Sequence, residues 1–276
     1  EATDVQTFVE WGFDLLKYDW CTYGAWVPGE GIERFQRPYR QVGELLAGAE
    51  RDVLFNLCQY GMGDVWTWGR AVGGHSWRTT GDVGLEQSRG GLPGFYQIAR
   101  RTLHLSDHTG PGGWNDPDYI LIGWYGDARG EGLVRRSDLT CDEQYAYMSL
   151  WALIPAPLFF SGDMERLTPF TLNVLCNSEI IAVNQDPLGK GGRLVRETAD
   201  EWVVVKPLTD GALAVGLFAV GNEDREITIL WEEIGARGPH QVRDLWRQRD
   251  VAVADGRWTV RVARHGAEVV RLTPVR

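Results

Sequence analysis

Two aspartates stand where acid–base chemistry is expected, each at the end of an apolar, strand-like stretch. Asp19 follows residues 13–18, and Asp82 follows residues 76–80. Two such carboxylates, with no metal ligands beside them in a chain that holds 13 Trp, suggest glycoside hydrolysis. In that reaction one carboxylate attacks the sugar and the other exchanges a proton. The structural alternative is ordinary, because an Asp after a strand is common as the N-cap of the following helix.

Metal and disulfide chemistry have little support in the sequence. The four cysteines, Cys21, Cys58, Cys141 and Cys176, lie far apart without a CxxC pair, and the five histidines are not clustered. This spacing is unlike a zinc site, and the cysteine count is too low for a disulfide scaffold. We therefore predict no cofactor and no metal, and the cellular compartment stays open.

The composition limits the classes of partner. Of the 276 residues 43% are hydrophobic and 24% charged, as in globular proteins, and no apolar run approaches the ~20 residues that cross a bilayer. The formal net charge of −10 repels phosphate backbones. We predict neither a nucleic-acid nor a membrane partner, and the oligomeric state is left open.

Residues 1–188 alternate between strands, polar loops and helices. This order predicts an α/β fold with a parallel sheet, and the polar residues at the carboxyl ends of the strands are typical of a (β/α)8 TIM barrel. A closed barrel needs eight strands, so we expect about strands four to eight here and three βα units upstream in a longer protein. The predicted strands cover residues 13–18, 52–58, 76–79, 112–116 and 156–160, and the predicted helices lie near residues 3–12, 35–46, 65–71, 95–105, 142–154 and 168–175.

After residue 188 the hydrophobic period changes to two. Short strands separated by Asp-Gly, Gly-Asn and His-Gly turns predict an antiparallel β-sandwich. We therefore divide the chain into a partial (β/α)8 catalytic barrel, residues 1–188, and a C-terminal β-sandwich domain, residues 189–276. The predicted strands are residues 202–207, 212–219, 226–231, 241–245, 258–262 and 268–272.

Four motifs carry a resemblance to a known family. Residues 15–21 read LLKYDWC, residues 76–82 SWRTTGD, residues 110–118 GPGGWNDPD and residues 182–189 AVNQDPLG. In this order they resemble the signatures of glycoside hydrolase family 27, the melibiase or α-galactosidase family. The likeness covers residues 3 to about 190 and continues into the sandwich, where the family carries a C-terminal β-domain.

The resemblance implies a role for each candidate site residue. Asp19 matches the nucleophile and Asp82 the acid/base of a retaining reaction, for which the two carboxyl groups lie ~5–5.5 Å apart. Lys17 and Arg78 match residues that hydrogen-bond sugar hydroxyls, although a surface salt bridge is the alternative, and Asp118 matches a further acidic residue of the pocket. Asp82 must hold a proton, and we expect the flanking tryptophans to provide a less polar setting. We expect Asp116 only to cap its loop.

The chain departs from the family pattern at Gln59. Relatives often have Cys-Glu-Trp where this chain has Cys58, Gln59 and Tyr60. An amide can donate as well as accept hydrogen bonds. In the family this position lies near the substituent at C2 of the sugar, so the resemblance implies that Gln59 binds substrate there, within contact range of Arg78 or Asp82; the alternative is that it satisfies a loop carbonyl. In the family the cysteine matching Cys21 usually pairs with an upstream cysteine.

The implied function is a retaining α-glycosidase acting on a carbohydrate substrate. The leading prediction is an α-galactosidase that releases terminal α-linked galactose through a covalent glycosyl-aspartate. The alternatives are the family's α-N-acetylgalactosaminidase, β-L-arabinopyranosidase and isomaltose-releasing specificities, or a non-catalytic sugar-binding protein. We expect residues 1–276 alone to leave a sheet edge and part of the pocket unbuilt, and therefore to be inactive.

Overall fold

A computed structural model describes residues 1–26, 29–83, 91–126 and 134–275. Helices and strands are interspersed up to residue 184, and strands dominate afterwards. In chain order the elements are α1 Ala2–Glu10, β1 Leu15–Asp19, α2 Tyr23–Trp26, α3 Gly31–Ala47, β2 Leu54–Cys58, β3 Ser76–Arg78, α4 Phe95–Leu103, β4 Trp114–Asp116, β5 Trp124–Tyr125, β6 Arg135–Arg136, α5 Cys141–Leu153, α6 Pro169–Leu175, α7 Ser178–Asn184, β7 Arg193–Glu197, β8 Glu201–Pro207, β9 Leu213–Ala219, β10 Arg225–Leu230, α8 Trp231–Ile234, β11 His240–Asp244, β12 Arg249–Ala254, β13 Arg257–Val262 and β14 Ala267–Pro274.

Internal contacts divide the chain into two compact units. The first comprises residues 1–82 and 107–118, and the second comprises residues 83–106 and 119–276. In the first unit, β1, β2, β3 and β4 form one parallel sheet in that order. Since parallel strands end at the same edge of a sheet, their last residues gather there.

The core of the first unit lies between this sheet and helix α3. Tyr39 and Val42 of α3 are buried with Phe55, Leu57 and Trp77 of the strands. Two short 3-10 turns, Val65–Thr67 and Gly69–Val72, take the place of the helix predicted at residues 65–71. Helix α3 can approach the turn Gly69–Val72 because residue 43 of the helix is Gly. An added Cβ at this residue would lie 2.0 Å from the carbonyl oxygen of Val72.

The described residues of the second unit form three antiparallel sheets, one of which is the short pair β5 and β6, and helices pack on the largest sheet. A six-stranded sheet has the order β12-β11-β14-β9-β8-β7, and β10 pairs with β13. Helix α5 contacts β14, β9 and β8, and ten of its residues are buried. Its first turn is closed by a capping box between Thr140 and Glu143. The predicted antiparallel sandwich is confirmed, with β7 and β12 as additional strands.

The fifth predicted parallel strand is wrong in extent. Residues 156–160 form no strand, and Phe160 makes only one parallel bridge, with Ile120. Pro157 lacks the N–H that a continuous ladder needs. Helix α7 was not expected from the sequence. Within the part of the chain that the structure describes, no helix has both the length and the apolar character needed to cross a membrane.

Candidate active site

The site is built where the four parallel strands of the first unit end. Asp19, the last residue of β1, pairs in register with Cys58, the last residue of β2. Arg78, the last residue of β3, pairs with Asp116, the last of β4. The strand register therefore brings polar side chains from distant parts of the sequence to one edge of the sheet.

Asp19 is held by three hydrogen bonds. Its carboxylate accepts from the Tyr60 hydroxyl at 2.5 Å, the Cys21 backbone N–H at 3.1 Å and the Cys58 thiol at 3.4 Å. Burial raises the pKa of Asp19, but these hydrogen bonds and the charge of Lys17 together outweigh it and leave the pKa below its ordinary value. The carboxylate is therefore ionised at neutral pH, as a nucleophile requires.

Arg78 connects two further carboxylates. Its guanidinium is only 1% exposed and lies 3.0 Å from Asp118 and 3.1 Å from Asp82. Burial lowers the pKa of Arg78, but the charges of Asp118 and Asp116 outweigh it and raise the pKa above its usual value. The surface salt bridge considered for Arg78 is therefore wrong, because its partner Asp118 is also buried, at 4% exposed.

Lys17 joins the same group of charges. Its Nζ lies 4.0 Å from Asp118, and its side chain is 21% exposed. Lys17 and Asp19 project from the same face of β1, since side chains alternate along a strand. Five of the six residues predicted for the site, namely Lys17, Asp19, Arg78, Asp82 and Asp118, thus make polar contacts in this unit.

The surroundings of Asp82 differ from the expectation. Its side chain is 72% exposed and pairs with Arg78, whereas we expected tryptophans to exclude water from it. Trp77 points to the opposite face of β3 from Arg78, where it is fully buried and donates through Nε1 to Asn115 at 2.8 Å. Residues 84–90, which follow Asp82 closely in the chain, lie outside the described residues.

Gln59 is fully buried, and within the described chain neither atom of its amide has a hydrogen-bond partner. Among the described residues Gln59 therefore makes no hydrogen bond to Arg78, to Asp82 or to the loop carbonyl of the alternative, and its expected place within contact range of Arg78 or Asp82 stays a prediction. Its contact with substrate stays a prediction.

Sequence reasoning missed Cys58 and Tyr60, the two neighbours of Gln59, both of which contact Asp19. The sequence held a signal for Cys58 alone, since it ends the predicted strand beside the one that Asp19 ends; Tyr60 lies beyond the strand, and its left-handed backbone breaks the alternation of side chains.

Several residues of the site have unusual backbone conformations. Cys21, Tyr60 and Asp118 have φ of 41°, 65° and 88°, in the left-handed region that favours glycine. Such strain persists only where the surroundings hold it, and it is concentrated at functional sites. Asp116 caps its loop as expected, since its Oδ1 accepts the backbone N–H of Asp118 at 2.8 Å, but its Oδ2 also accepts from the Asn56 amide at 2.8 Å, so its role is not local alone. No group of three or more His, Cys, Asp or Glu among the described residues is arranged to hold a metal ion.

Comparison with known proteins gives two family matches and several relatives. The family described as alpha galactosidase A matches residues 1–186, and the alpha galactosidase C-terminal beta sandwich domain matches residues 198–272. The alpha-galactosidase of Cyamopsis tetragonoloba is 33% identical over 276 residues, which are 99% of this chain and 61% of the relative. The chain spans 58–63% of the length of the first curated relatives it matches.

Two solved structures share the fold. Alpha-galactosidase I of Mortierella vinacea has a TM-score of 0.87 at 24% identity, covering 99% of this chain and 70% of that one. A family 27 β-L-arabinopyranosidase of Geobacillus stearothermophilus has a TM-score of 0.86 at 23% identity, covering 99% and 61%. The predicted fold class, part of a (β/α)8 barrel followed by an antiparallel β-sandwich, is confirmed. By the family match over two-thirds of its length, the chain belongs to the alpha galactosidase A family.

Proposed function

We propose that the full-length protein is a retaining α-galactosidase that releases terminal α-linked galactose from oligo- or polysaccharides. The observation that carries the proposal is the state of Asp19: it lies at the carboxyl end of a parallel strand, with its pKa held low by hydrogen bonds and by Lys17. An ionised carboxylate in that position supports a nucleophilic role. Residues 1–188 are assigned as the catalytic barrel part and residues 189–276 as the sandwich domain.

The first step forms a covalent sugar–enzyme ester. An oxygen of Asp19 bonds to the anomeric carbon while the bond from that carbon to the leaving oxygen breaks, and Asp82 gives its proton to the leaving oxygen. In the second step Asp82 takes a proton from water. The water oxygen bonds to the anomeric carbon as the ester bond to Asp19 breaks. Two inversions at one carbon return the original configuration.

The remaining residues are assigned to substrate binding. Lys17 and Arg78 present donors for sugar hydroxyls, and Asp118 presents an acceptor. The ion pair between Arg78 and Asp118 supports this assignment, because two buried side chains held at 3.0 Å give fixed directions to the hydrogen bonds they offer. Gln59 is assigned to recognition at C2 of the sugar, as a prediction that rests on the family resemblance.

A second candidate is α-N-acetylgalactosaminidase activity, one of the alternative specificities that the family resemblance implies. The observation that favours keeping it is the Cys58-Gln59-Tyr60 sequence, which departs from the Cys-Glu-Trp of many α-galactosidases. Galactose and N-acetylgalactosamine differ only in the substituent at C2, the position to which Gln59 is assigned.

Hydrolysis of p-nitrophenyl α-galactoside and p-nitrophenyl α-N-acetylgalactosaminide by the full-length protein tests both candidates. We expect faster turnover of the galactoside, and we expect Asp19→Ala to abolish turnover. Azide should restore activity to Asp19→Ala and give a glycosyl azide of inverted configuration, because azide takes the place of the carboxylate. The proposal is contradicted if Asp19→Ala turns over substrate without azide. It is also contradicted if the wild type hydrolyses neither glycoside.

A further inference from the structure

The two oxygens of the Asp19 carboxylate have different surroundings. Oδ1 accepts hydrogen bonds from the Tyr60 hydroxyl at 2.5 Å and the Cys21 backbone N–H at 3.1 Å. Among the hydrogen bonds within the described residues, Oδ2 accepts only that of the Cys58 thiol, at 3.4 Å, and a thiol is a weak donor. Oδ1 is therefore the anchored oxygen, and Oδ2 is the one available to form a bond.

Tyr60 is held in place by its backbone and by Arg78. Its φ of 65° is unusual for an aromatic residue. The next residue, Gly61, has a φ of +81° and approaches β3 so closely that an added Cβ would lie 2.4 Å from the Thr79 carbonyl oxygen. The guanidinium of Arg78 lies 5.7 Å from the centre of the Tyr60 ring. These contacts fix the direction from which the hydroxyl reaches Asp19.

We propose that Tyr60 is a positioning residue for Asp19: its hydroxyl holds Oδ1, and Oδ2 forms the bond to the anomeric carbon. This inference rests on the proposed glycosidase function. As the bond from Oδ2 to the sugar forms, the bond to the leaving oxygen breaks and Asp82 protonates that oxygen. Oδ1 becomes the carbonyl oxygen of the ester and continues to accept the hydrogen bond of Tyr60.

The proposal predicts a change in how Asp19 titrates. The charged and titratable groups around its carboxylate are Lys17 on the same strand, Cys21 in the following loop, Cys58 and Tyr60 at the end of β2, and Tyr39 on α3. Of the interactions that lower the pKa of Asp19, the Tyr60 hydrogen bond contributes most. Removing the hydroxyl therefore raises that pKa and narrows the pH range in which the nucleophile is ionised.

Tyr60→Phe in the full-length protein removes the hydroxyl and keeps the ring. We expect kcat/KM for p-nitrophenyl α-galactoside to fall about 10- to 100-fold, the range for one hydrogen bond to a charged group, and the acidic limb of its pH profile to move to higher pH. Tyr18→Phe is the matched control: the Tyr18 hydroxyl donates to another carboxylate, that of Glu1, at 2.6 Å. We expect its acidic limb to match that of the wild type.

A titration that does not need turnover separates this inference from the proposed function. The carboxyl carbon of Asp19, assigned by comparison with Asp19→Asn, is followed by 13C NMR in the wild type and both Phe variants. A higher midpoint in Tyr60→Phe alone supports the hydrogen bond. Unchanged midpoints and an unchanged acidic limb overturn the positioning role even if the wild type is an active glycosidase. A protein that cleaves neither glycoside overturns the proposed function and the attack by Oδ2, while the titration still reports the hydrogen bond.

Discussion

Arg78 is the residue on which the charge balance of the site depends. It is buried between Asp118 and Asp82, and Asp118 is buried as well. Removing one member of a buried ion pair leaves the other charge without compensation, which costs more than the pair itself contributes. Arg78 therefore has a structural role in addition to the sugar contact assigned to it.

We expect Arg78→Met to lower the free energy of unfolding by about 3–5 kcal/mol, because Asp118 loses its nearest cation. The combined variant Arg78→Met/Asp118→Asn should recover most of this loss. Urea denaturation of the two single variants and the double variant measures the coupling. Arg166→Met is the control, since Arg166 is 53% exposed in its pair with Asp163 and should cost less than about 1 kcal/mol. Equal losses of unfolding free energy in Arg78→Met and in the double variant would contradict the expectation.

The burial of Cys58 should protect its thiol from alkylation. Burial raises the pKa of its thiol to about 12, and its side chain is 1% exposed. The thiolate is the reactive form. We therefore expect iodoacetamide at pH 8 to modify the exposed Cys141 and Cys176 within minutes to hours and to leave Cys58 unmodified until the protein unfolds. Peptide mass spectrometry measures the modification, and rapid labelling of Cys58 in the folded protein would show that the strand end is open to solvent.

The sequence was informative about residues wherever a motif ends a strand. Asp19 and Lys17 could be placed from strand periodicity, whereas Arg78 and Asp118 were placed by their match to the family motifs. The exposure of Asp82 could not be inferred, since it depends on which side chains surround it and not on its place after β3. Tyr60 was passed over because its contact with Asp19 requires a left-handed backbone that an aromatic residue rarely adopts.

At the level of elements, the turn after β2 determines where Tyr60 lies. Gly61 combines a φ of +81° with a backbone contact that leaves no space for a side chain. Gly211 has a similar φ, +84°, but an added Cβ would meet nothing within 4 Å. A comparison of substitutions at the two glycines therefore separates the cost of the left-handed backbone conformation from the cost of the close backbone contact.

We expect Gly211→Ala to cost about 1–2 kcal/mol of unfolding free energy, the cost of a left-handed backbone for a residue with a Cβ. Gly61→Ala should cost more, because the turn must also move away from Thr79. It should lower kcat/KM as well, since Tyr60 moves with the turn. Thermal denaturation and turnover of p-nitrophenyl α-galactoside by the full-length variants measure both effects. Equal stability losses with unchanged turnover in Gly61→Ala would show that the turn relaxes without displacing Tyr60.

The elements themselves followed the hydrophobic period with a few informative exceptions. Helix α6 begins after Thr168, which caps it, and α5 begins with a capping box; these start signals are local and can be read from the sequence. The strand predicted at residues 156–160 has an apolar sequence, but the proline at 157 interrupts its ladder. β12 escaped prediction because it is an exposed strand at the edge of its sheet, with Val251 and Val253 facing solvent.

On the scale of the molecule, the sandwich sheet and the helices of the second unit share a buried cation. Lys206, on β8, is fully buried and donates to the carbonyl oxygens of Val183 in α7, at 2.5 Å, and Ala152 in α5, at 3.5 Å. A charged residue near the end of a strand indicates an exposed position, so this contact could not be expected from the sequence. It depends on the two helices packing against the sheet.

The position of Lys206 makes the stability of the molecule depend on pH. Burial lowers its pKa to about 8 from 10.5, only partly opposed by the charge of Asp186. Between these two values the unfolded chain binds a proton at Lys206 that the folded chain does not, so the contribution of Lys206 to stability rises with pH. Above pH 10.5 its contribution to the free energy of unfolding is about 3 kcal/mol more favourable than below pH 8. Lys206→Met removes this proton linkage, because methionine does not titrate. We therefore expect the wild type to gain stability relative to Lys206→Met as the pH rises from 7.5 to 10. Urea denaturation of both proteins at each pH measures the difference. The ionisation of other groups cancels, because both proteins contain them. Lys190→Met, at an exposed lysine, is the control and should show no such trend. If the stability difference between the wild type and Lys206→Met stays constant with pH, Lys206 remains charged in the folded protein.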